Sequence, residues 1–431
     1  MTQKIQSVKG MNDLLPVEQK DFKLTAAYWQ AFENQIQKWT RKFGYGQIRT
    51  PIVEQTGLFV RSIGEETDVV GKEMYTFSDS NDTLSLTLRP EGTAEAAYAP
   101  WWNTICCNEA PRKLWYMGAM FRRERPQKGR YRQFHQVGIE ALGFADADID
   151  AEIIAMCADL WRELGILEHL TLELNSLGNR EERAAHRAGL VEYFSQYADK
   201  LSDEEKVRLE KNPLRLLDTK NPDLQEICNN APRLVDFLGE DSQKHYQTVK
   251  SLLDGLGIQY VENPRLVRGL DYYNQTVFEW TTDKLGAQAT VCGGGRYDGL
   301  IEELGGKPAA SIGFAMGIER LLLLVRDYGS LQVSDAPDVF VMQQGDGATL
   351  AAMKLAQNLR ENGFNVAQFS GSTKLKNQFK RADQSGARFG LIIAESEAAE
   401  NTVTIKDLRG ENGQITVPAA QMISQINEWS K

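Results

Sequence analysis

The chain has 431 residues, of which 42% are hydrophobic and 25% charged, and its net charge is −10 at pH 7. Because a single core stops growing at roughly 250 to 300 residues, this length predicts two or three domains. The composition is that of a globular protein and excludes fibrous and disordered classes, while the acidic balance argues against a protein that coats nucleic acid nonspecifically.

Neither a membrane protein nor a secreted one is expected. The N-terminal stretch MTQKIQSVKGMNDLLP has no apolar run of signal-peptide length, and the aliphatic cluster Leu321 to Val325 is too short to span a bilayer. The five cysteines form no CxxC pair, and Cys106 and Cys107 are adjacent, a poor arrangement for a disulfide. The four histidines are well separated and argue against a zinc site. We expect a cytoplasmic protein with reduced thiols and no protein-built metal site.

The first predicted element is a long helix over Val17 to Phe43, where apolar side chains recur at helical spacing before Gly44. The segment QIRTPIVEQ after it is predicted to be one strand, and a second short strand is predicted from Leu84 to Leu88. The stretch RPEGTAEAAYA then opens a helix with Thr93 as its N-cap.

Two longer strands, Lys113 to Glu124 and Tyr131 to Leu142, are predicted to form an antiparallel hairpin joined by a strongly basic loop. From about 175 to 257 the chain is rich in charged residues at helical spacing and has no strong strand, so this region is predicted to be a helical insertion. Strands are then predicted at Ile258 to Val261, Thr276 to Thr281 and Ala289 to Val291. The run SIGFAMGIERLLLLVRDY is predicted to be a strand that turns directly into a helix.

These elements predict an α+β domain built on an antiparallel sheet over residues 1–330, with the helical insertion inside it. A small separate α/β domain is expected over residues 331–431, because strands alternate there with helical stretches. Its predicted strands are Asp338 to Met342, Asn365 to Phe369, Phe389 to Ile393 and Thr402 to Lys406.

The second strand of the hairpin is the first candidate for a site. Strand side chains alternate between faces, so Gln136 and Glu140 share one face while Val137 and Ile139 lie on the other. A glutamine and a carboxylate four residues apart suit a pocket for a polar substrate. An exposed polar face is the alternative, and Arg122 at the end of the partner strand favours a site.

Three arginines are candidates for anion binding. Arg122 and Arg130 flank and occupy the basic loop, and the planar guanidinium group donates paired hydrogen bonds to phosphate oxygens. Arg320 lies in the first turn of a predicted helix, where a cation opposes the helix dipole unless an anion binds nearby. A solvated loop is the alternative for the first two, and a pair with Glu319 or Asp327 is the alternative for Arg320.

Two further segments carry weaker signals. The run CGGGRYDGL places glycines after a strand, where the backbone must approach something closely, although a tight turn explains it equally well. It is neither a GxGxxG motif nor a P-loop. The segment RGLDYYNQTVFEW carries Arg268, Asp271, Tyr272 and Tyr273 before a strand. A tyrosine hydroxyl with a carboxylate could hold both imidazole nitrogens, but core packing explains adjacent tyrosines as well.

Taken in order, these segments resemble the class II aminoacyl-tRNA synthetases, and RGLDYY marks the histidine-specific family among them. The resemblance runs nearly end to end through KGMNDLLP, TPIVEQTGLFVRSIGEETDVVGKEMYTF, TLRPEGT, FRRERPQKGRYRQFHQVGIEALG, LVRGLDYYNQTVFEW, CGGGRYDGL and GFAMGIERL. It implies a class II catalytic domain, activation of histidine with ATP and Mg²⁺, and transfer to tRNA(His). It also implies a homodimer and a C-terminal domain that reads the anticodon.

The resemblance also implies roles for the arginines. The family arginine that matches Arg122 contacts the ATP α-phosphate, and those that match Arg130 and Arg320 hold the remaining phosphates. Arg268 matches the arginine that bridges the histidine carboxylate and the α-phosphate. The family varies at Arg123, so this departure puts no role in doubt.

On the amino-acid side, the residues matching Glu91, Thr93 and Gln136 surround the amino and carboxylate ends of histidine. Glu140 and Tyr273 match the pair that reads the imidazole, and Tyr272 is expected beside them.

Two other functions remain open at this point. One is a non-enzyme, the synthetase-like regulatory subunit of ATP phosphoribosyltransferase, which typically lacks the anticodon domain and has degraded motifs. The other is a class II synthetase for proline or threonine. Arg122, Arg268 and Arg320 argue against the first, and RGLDYY argues against the second.

Overall fold

The structure, a computed structural model, describes residues 5–18, 24–65, 67–79, 83–98, 111–211, 213–217, 219, 221–286, 290–333, 335–371 and 374–430. It divides into two compact units, Met1–Gln332 and Val333–Lys431. Among the described residues, no helix combines the length and apolar character needed to cross a membrane. Cys106 and Cys107 lie outside the described residues.

The first unit mixes strands and helices along its length. Its described strands are β1 (Gly46–Gln47), β2 (Val53–Gln55), β3 (Tyr75–Ser78), β4 (Ser85–Leu88), β5 (Arg112–Phe121), β6 (Gln133–Leu142), β7 (Thr171–Ser176), β8 (Val261–Glu262), β9 (Asn274–Thr281), β10 (Thr290–Arg296) and β11 (Ser311–Gly317). Its described α-helices are α1 (Ala26–Lys42), α2 (Thr56–Ile63), α3 (Thr93–Ala96), α4 (Ala147–Glu163), α5 (Arg180–Ser195), α6 (Asp203–Lys211), α7 (Gln225–Asn229), α8 (Glu240–Gly255), α9 (Leu300–Glu303) and α10 (Ile318–Tyr328).

Eight strands form the central sheet in the order β1-β5-β6-β11-β10-β9-β7-β8, and β2-β4-β3 form a small second sheet. The central strands are antiparallel, and only the edge pairs β1–β5 and β7–β8 are parallel. The hairpin of β5 and β6 runs in register from Arg112 opposite Leu142 to Phe121 opposite Gln133. The predicted antiparallel sheet and its hairpin are therefore confirmed.

One face of the central sheet is buried under helices. Trp39 of α1 and Trp161 of α4 pack in one core with Val137 and Ile139 of β6. The indole of Trp39 also donates to the Met156 carbonyl at 3.0 Å, which ties α1 to α4. Because alternate residues of β6 point away from this core, the opposite face of the strand is left for polar side chains.

The region between β7 and β9 is mainly helical. Helix α5 begins with a capping box, in which the Asn179 side chain accepts from Glu182 N and the Glu182 side chain accepts from Asn179 N. A separate core buries Leu190 and Phe194 of α5 with residues of the following helices and turns. Asn175, where the insertion was predicted to begin, belongs to β7, a strand that the sequence analysis did not predict.

Two predictions near the N-terminus are wrong. Helix α1 begins at Ala26 and not at Val17, because the Thr25 hydroxyl caps it by accepting from Tyr28 N at 3.2 Å. The segment QIRTPIVEQ is not one strand: it contributes only Gln47 to β1 and residues 53–55 to β2, and these two strands belong to different sheets. Pro51, which has no N–H to donate to a sheet ladder, lies between them.

Three predictions further along are also corrected. Thr93 is the first residue of α3 and not its N-cap, which is Gly92. The predicted strand at Ile258 shrinks to β8, because Ile258 N donates to Leu253 O at the end of α8. The three consecutive glycines of CGGGRYDGL, residues 293–295, lie within β10 and not in a turn, and an added Cβ on Gly294 would lie 2.1 Å from Gly313 O. Close backbone approach therefore explains these glycines.

The second unit is a five-stranded sheet with helices. Its strands are β12 (Val339–Gln344), β13 (Val366–Gln368), β14 (Phe389–Ala394), β15 (Thr402–Asp407) and β16 (Gln414–Pro418), and its helices are α11 (Ala348–Glu361), α12 (Leu375–Gln384), α13 (Glu395–Glu400) and α14 (Met422–Trp429). The order is β13-β12-β14-β15-β16, parallel around β12 and antiparallel beyond β14. The expected α/β character is confirmed, and β16 is an additional strand.

Candidate active site

A cavity opens on the polar face of the central sheet. Five of the ten predicted site residues line it: Arg122, Arg130, Gln136, Arg268 and Arg320. The other five are buried side chains: Glu91, Thr93, Glu140, Tyr272 and Tyr273. The predicted residues thus divide into a cationic cavity and a buried layer with two carboxyl groups.

Arg122 is fixed at the junction of the two groups. Its Nε donates to the Pro90 carbonyl at 2.9 Å, and its guanidinium lies 5.3 Å from the centre of the Phe134 ring. Burial lowers the pKa of Arg122, while the nearby carboxyl groups of Glu73 and Glu91 oppose that shift. A desolvated cation held by backbone and ring is preorganised to meet an anionic oxygen.

Arg130 and Arg320 line the same cavity and interact electrostatically with each other. Arg130 forms an ion pair with Glu124. Burial lowers the pKa of Arg320, and the neighbouring positive charge of Arg130 lowers it further. Two cations at close range are favourable once an anion with several charges lies between them.

The two carboxylates considered as alternative partners of Arg320 have contacts of their own. Glu319 accepts from His135 N with both oxygens at 3.0 Å and contacts His135 Nδ1 at 2.9 Å. Asp327 pairs with Arg326 at 2.7 Å.

Arg268 lies between the cavity and the tyrosines. It forms an ion pair with Glu279, and its guanidinium lies 5.5 Å from the centre of the Tyr273 ring. A Cβ on Gly293 of β10 would lie 2.6 Å from Arg268 Nη1. The glycine therefore leaves the space that the guanidinium occupies.

Glu140 is the most buried polar group of the site, with no exposed surface. Its Oε1 accepts from the Thr93 hydroxyl at 2.8 Å, and its Oε2 accepts from the Tyr297 hydroxyl. Burial raises the pKa of Glu140 to about 8, although these two donors lower it. A carboxyl group with this pKa can hold or release a proton near neutral pH, which suits recognition of an imidazole.

The Glu91 side chain accepts the backbone hydrogen bonds at the start of α3, a role that the sequence pattern predicts for Thr93. Its carboxylate accepts from Thr93 N at 2.7 Å and from Ala94 N at 2.9 Å. Burial raises the pKa of Glu91, and these backbone donors oppose the rise. The Thr93 hydroxyl is thereby oriented toward Glu140.

Gln136 presents an unsatisfied acceptor in the cavity wall. Its Oε1 is buried and has no hydrogen-bond partner among the described residues. A buried polar atom without a partner costs free energy, so this oxygen is suited to accept a hydrogen bond from a bound ligand. An ammonium group of a substrate is such a donor.

The adjacent tyrosines pack and also border the site. The rings of Tyr272 and Tyr273 lie 4.6 Å apart between centroids, and Tyr272 meets the Tyr297 ring at 5.7 Å. Core packing, the alternative left open for this pair, is therefore part of their role. Their burial next to Arg268 and Glu140 also makes them part of the site wall.

Comparison with known proteins follows the same division of the chain. The family model described as "Histidyl-tRNA synthetase" matches residues 10–321, and the one described as "Anticodon binding domain" matches residues 338–429. A protein named histidine--tRNA ligase from Neisseria meningitidis serogroup B is 75% identical over 429 residues, covering 100% of this chain and 99% of the relative. The chain belongs to the histidyl-tRNA synthetase family.

More distant members of the histidyl-tRNA synthetase family also match over the whole chain. A histidine--tRNA ligase from Laribacter hongkongensis is 55% identical over 426 residues, covering 99% of both chains. The crystal structure of apo S. aureus histidyl-tRNA synthetase superposes with a TM-score of 0.81 at 37% identity and covers 98% of this chain and 100% of its own. The fold and the family assignment therefore apply to both units.

Within this family framework, sequence reasoning missed two tyrosines of the site. Tyr297 is 1% exposed and donates its hydroxyl to Glu140. Tyr116 of β5 is buried beside Glu140 and Glu91, and Gly138 leaves room for its ring. The only signal for Tyr297 was its place in CGGGRYDGL, which had been attributed to backbone approach or a turn.

Proposed function

We propose that this chain is a histidine--tRNA ligase. It activates histidine with ATP to form histidyl-adenylate and pyrophosphate, and then transfers histidine to the 3′ end of tRNA(His). The observation that carries the proposal is the buried Glu140 with its two hydroxyl donors, on the strand whose Gln136 lines a cavity with four arginines. A carboxyl group that can recognise a polar ring therefore lies close to a cavity that can bind phosphates.

In the first step, a carboxylate oxygen of histidine attacks the α-phosphorus of ATP, and pyrophosphate leaves. This brings two anions together and builds negative charge on phosphate oxygens. Arg122 holds the α-phosphate, and Arg268 bridges it to the histidine carboxylate, so fixed cations lower the barrier. Arg130 and Arg320 hold the remaining phosphates. ATP enters as its Mg²⁺ complex, so the metal belongs to the substrate and is bound mainly through the phosphates.

The amino acid is bound at its two ends. Glu140 and Tyr273, beside Tyr272, read the imidazole nitrogens, while Gln136, Glu91 and Thr93 face the amino and carboxylate groups. Buried polar groups discriminate strongly between substrates, because an apolar competitor leaves the polar atoms of the site unpaired. Such sites reject competitors by about 10⁴-fold or more.

In the second step, a terminal ribose hydroxyl of the tRNA attacks the carbonyl carbon of the adenylate, and AMP leaves. The match of residues 338–429 to an anticodon-binding domain supports a tRNA partner for the C-terminal α/β domain, residues 331–431. The catalytic domain, 1–330 with its insertion at about 175–257, carries the chemistry. The family resemblance further supports a cytoplasmic homodimer.

The regulatory subunit of ATP phosphoribosyltransferase is the alternative. It is disfavoured because the chain keeps Arg122, Arg268 and Arg320 around one cavity and has a second unit that matches an anticodon-binding domain.

Charging of tRNA tests the proposal. Purified protein is incubated with ATP, Mg²⁺ and labelled histidine, with tRNA(His) and a second tRNA as control. Acid-stable label on tRNA(His) alone is expected. Folded protein that forms no histidyl-tRNA under these conditions would contradict the proposal.

A further inference from the structure

The segment Arg268–Tyr273 is contacted by the helical insertion. Arg183 of α5 donates from Nη1 to the backbone carbonyl of Tyr273. Asp271, in the same segment, lies close enough to raise the pKa of Arg183 against the larger lowering effect of burial. One side chain of the insertion therefore bonds to the main chain of the segment and interacts electrostatically with one of its carboxylates.

A second set of contacts lies just after the segment, at Gln275. Its φ is +46°, a conformation that residues with a Cβ rarely adopt. Its N donates to Gly178 O at 2.9 Å, and its carbonyl accepts from Leu177 N at 2.6 Å. Its side-chain amide donates to the Ser242 hydroxyl on α8 at 3.0 Å. The first residues of the insertion and its last helix, α8, therefore both form hydrogen bonds with this residue.

Packing alone does not fix the segment on the insertion side. A cavity separates it from α5, and its lining includes His186 and Leu234 of the insertion, Leu270 of the segment and Val267 just before the segment. On the opposite side Asp271 N donates to Ile63 O at 3.3 Å. Where apolar packing is incomplete, directional polar contacts determine the position of the chain.

We propose that Arg183 is a positioning residue for histidine binding, through which the insertion sets the position of Tyr273 and Arg268. The inference rests on the proposed function and deepens it. Arg183 lines the cavity behind the segment and does not line the arginine cavity in front of it. Its loss therefore affects the histidine end of the site more than the phosphate end.

The test compares three variants by pyrophosphate exchange. Arg183→Met is expected to raise the KM for histidine about tenfold while the KM for ATP stays within about twofold. Arg183→Lys, which keeps a donor and the charge, is expected to recover part of this loss. Arg180→Met is the matched control, an exposed arginine in the first turn of the same helix, and it should behave as the wild type.

A second measurement does not depend on activity. Without ligands, Arg183→Met should speed amide hydrogen exchange in residues 268–273 and leave β5 and β6 unchanged. Ser242→Ala, which removes only the side-chain bond to Gln275, should raise the histidine KM about threefold. If Arg183→Met does not fold, Arg183→Lys tests the role of Arg183, and a histidine KM equal to that of the wild type together with unchanged exchange in residues 268–273 would argue against it.

The outcomes separate the two proposals. Wild-type protein that shows no histidine-dependent exchange contradicts the proposed function. Wild-type exchange combined with an unchanged histidine KM in Arg183→Met, or with equal increases in its histidine and ATP KM values, overturns the role of Arg183 whatever Ser242→Ala shows.

Discussion

The Tyr297 hydroxyl donates to Oε2 of Glu140, which joins residues on β6 and at the end of β10 that are 157 positions apart in sequence. With Thr93 donating to Oε1 at 2.8 Å, both carboxyl oxygens have a fixed donor. The carboxyl group is therefore held in one orientation before a substrate binds, which lowers the entropy cost of binding the substrate.

Replacing Glu140 by glutamine should impair histidine recognition more than any other conservative change in the site. The amide keeps the size of the side chain but cannot bear a charge opposite an imidazolium. We expect Glu140→Gln to raise the KM for histidine about 100-fold and to leave the KM for ATP within about threefold. Exchange kinetics with each substrate varied in turn measure this, and equal effects on both KM values would contradict the assignment.

The raised pKa of Glu140 predicts a pH-dependent stability. Its folded-state pKa of about 8 lies above the usual 4.5, so the native state retains the proton to a higher pH than the unfolded state does. This contribution to stability is complete below about pH 4.5 and is lost as pH rises through 8. Relative to Glu140→Gln, the wild type should lose about 5 kcal/mol of unfolding free energy across this range, because one pKa unit corresponds to about 1.4 kcal/mol. Urea unfolding at pH 5, close to the lower limit of this range, and at pH 9, above its upper limit, compares the two proteins. A difference in unfolding free energy between wild type and variant that is the same at both pH values would show that the carboxyl group titrates normally.

Arg268→Ala should abolish most adenylate formation. The guanidinium sits between the cavity and Tyr273, and no other described arginine lines both cavities. Loss of one fixed group that stabilises the negative charge developing in the transition state typically lowers kcat about 10²- to 10³-fold. Arg268→Lys should restore only part of the rate, because one ammonium cannot replace a planar fork. Near-normal adenylate formation by Arg268→Ala in a single turnover would refute the bridging role.

Gly293→Ala should resemble a mild form of the Arg268 variants. The added methyl group would lie 2.6 Å from Arg268 Nη1 and must displace the guanidinium. We expect the exchange rate to fall about tenfold or more. Gly299→Ala in the same CGGGRYDGL run is the control, because its nearest atom would be Glu303 Oε1 at 4.0 Å. Equal rates for the two variants would argue against close packing as the reason for Gly293.

Arg296→Met tests the buried ion pair between Arg296, the residue before Tyr297, and Asp150. Arg296 is 1% exposed and donates from Nε to both oxygens of the fully buried Asp150, at 3.0 and 2.9 Å. Removing it leaves a buried charge without its cation, which should lower the unfolding free energy by about 3 to 5 kcal/mol. Arg208→Met, which breaks an exposed pair with Glu204, should change it by less than about 1 kcal/mol. Similar urea midpoints for both variants would contradict this account.

Local pattern was sufficient for the hairpin and its faces. Alternation along β6 placed Gln136 and Glu140 opposite the core residues Val137 and Ile139, as the structure has them. The strand-to-helix transition at Gly317 was also predictable, because its apolar run changes period there. The choice of histidine as substrate came from the family resemblance and not from the pattern.

What sequence reasoning missed depends on tertiary contacts. The break of QIRTPIVEQ at Pro51 is decided by which sheet each half joins, and β16 is visible only through its pairing with β15. Thr93 has a typical N-cap side chain, but Glu91 takes the backbone donors and leaves the hydroxyl to Glu140. Tyr297 could not be assigned a partner until β6 and β10 were brought to either side of β11.

The measurement that tests the central claim most directly is amino-acid-dependent exchange of pyrophosphate into ATP by the purified protein, without tRNA and with Mg²⁺ present. Each of the standard amino acids is supplied in turn. The account predicts exchange with histidine alone, which would establish activation and specificity together. Folded protein that gives no exchange with histidine would contradict it and would favour the regulatory-subunit alternative.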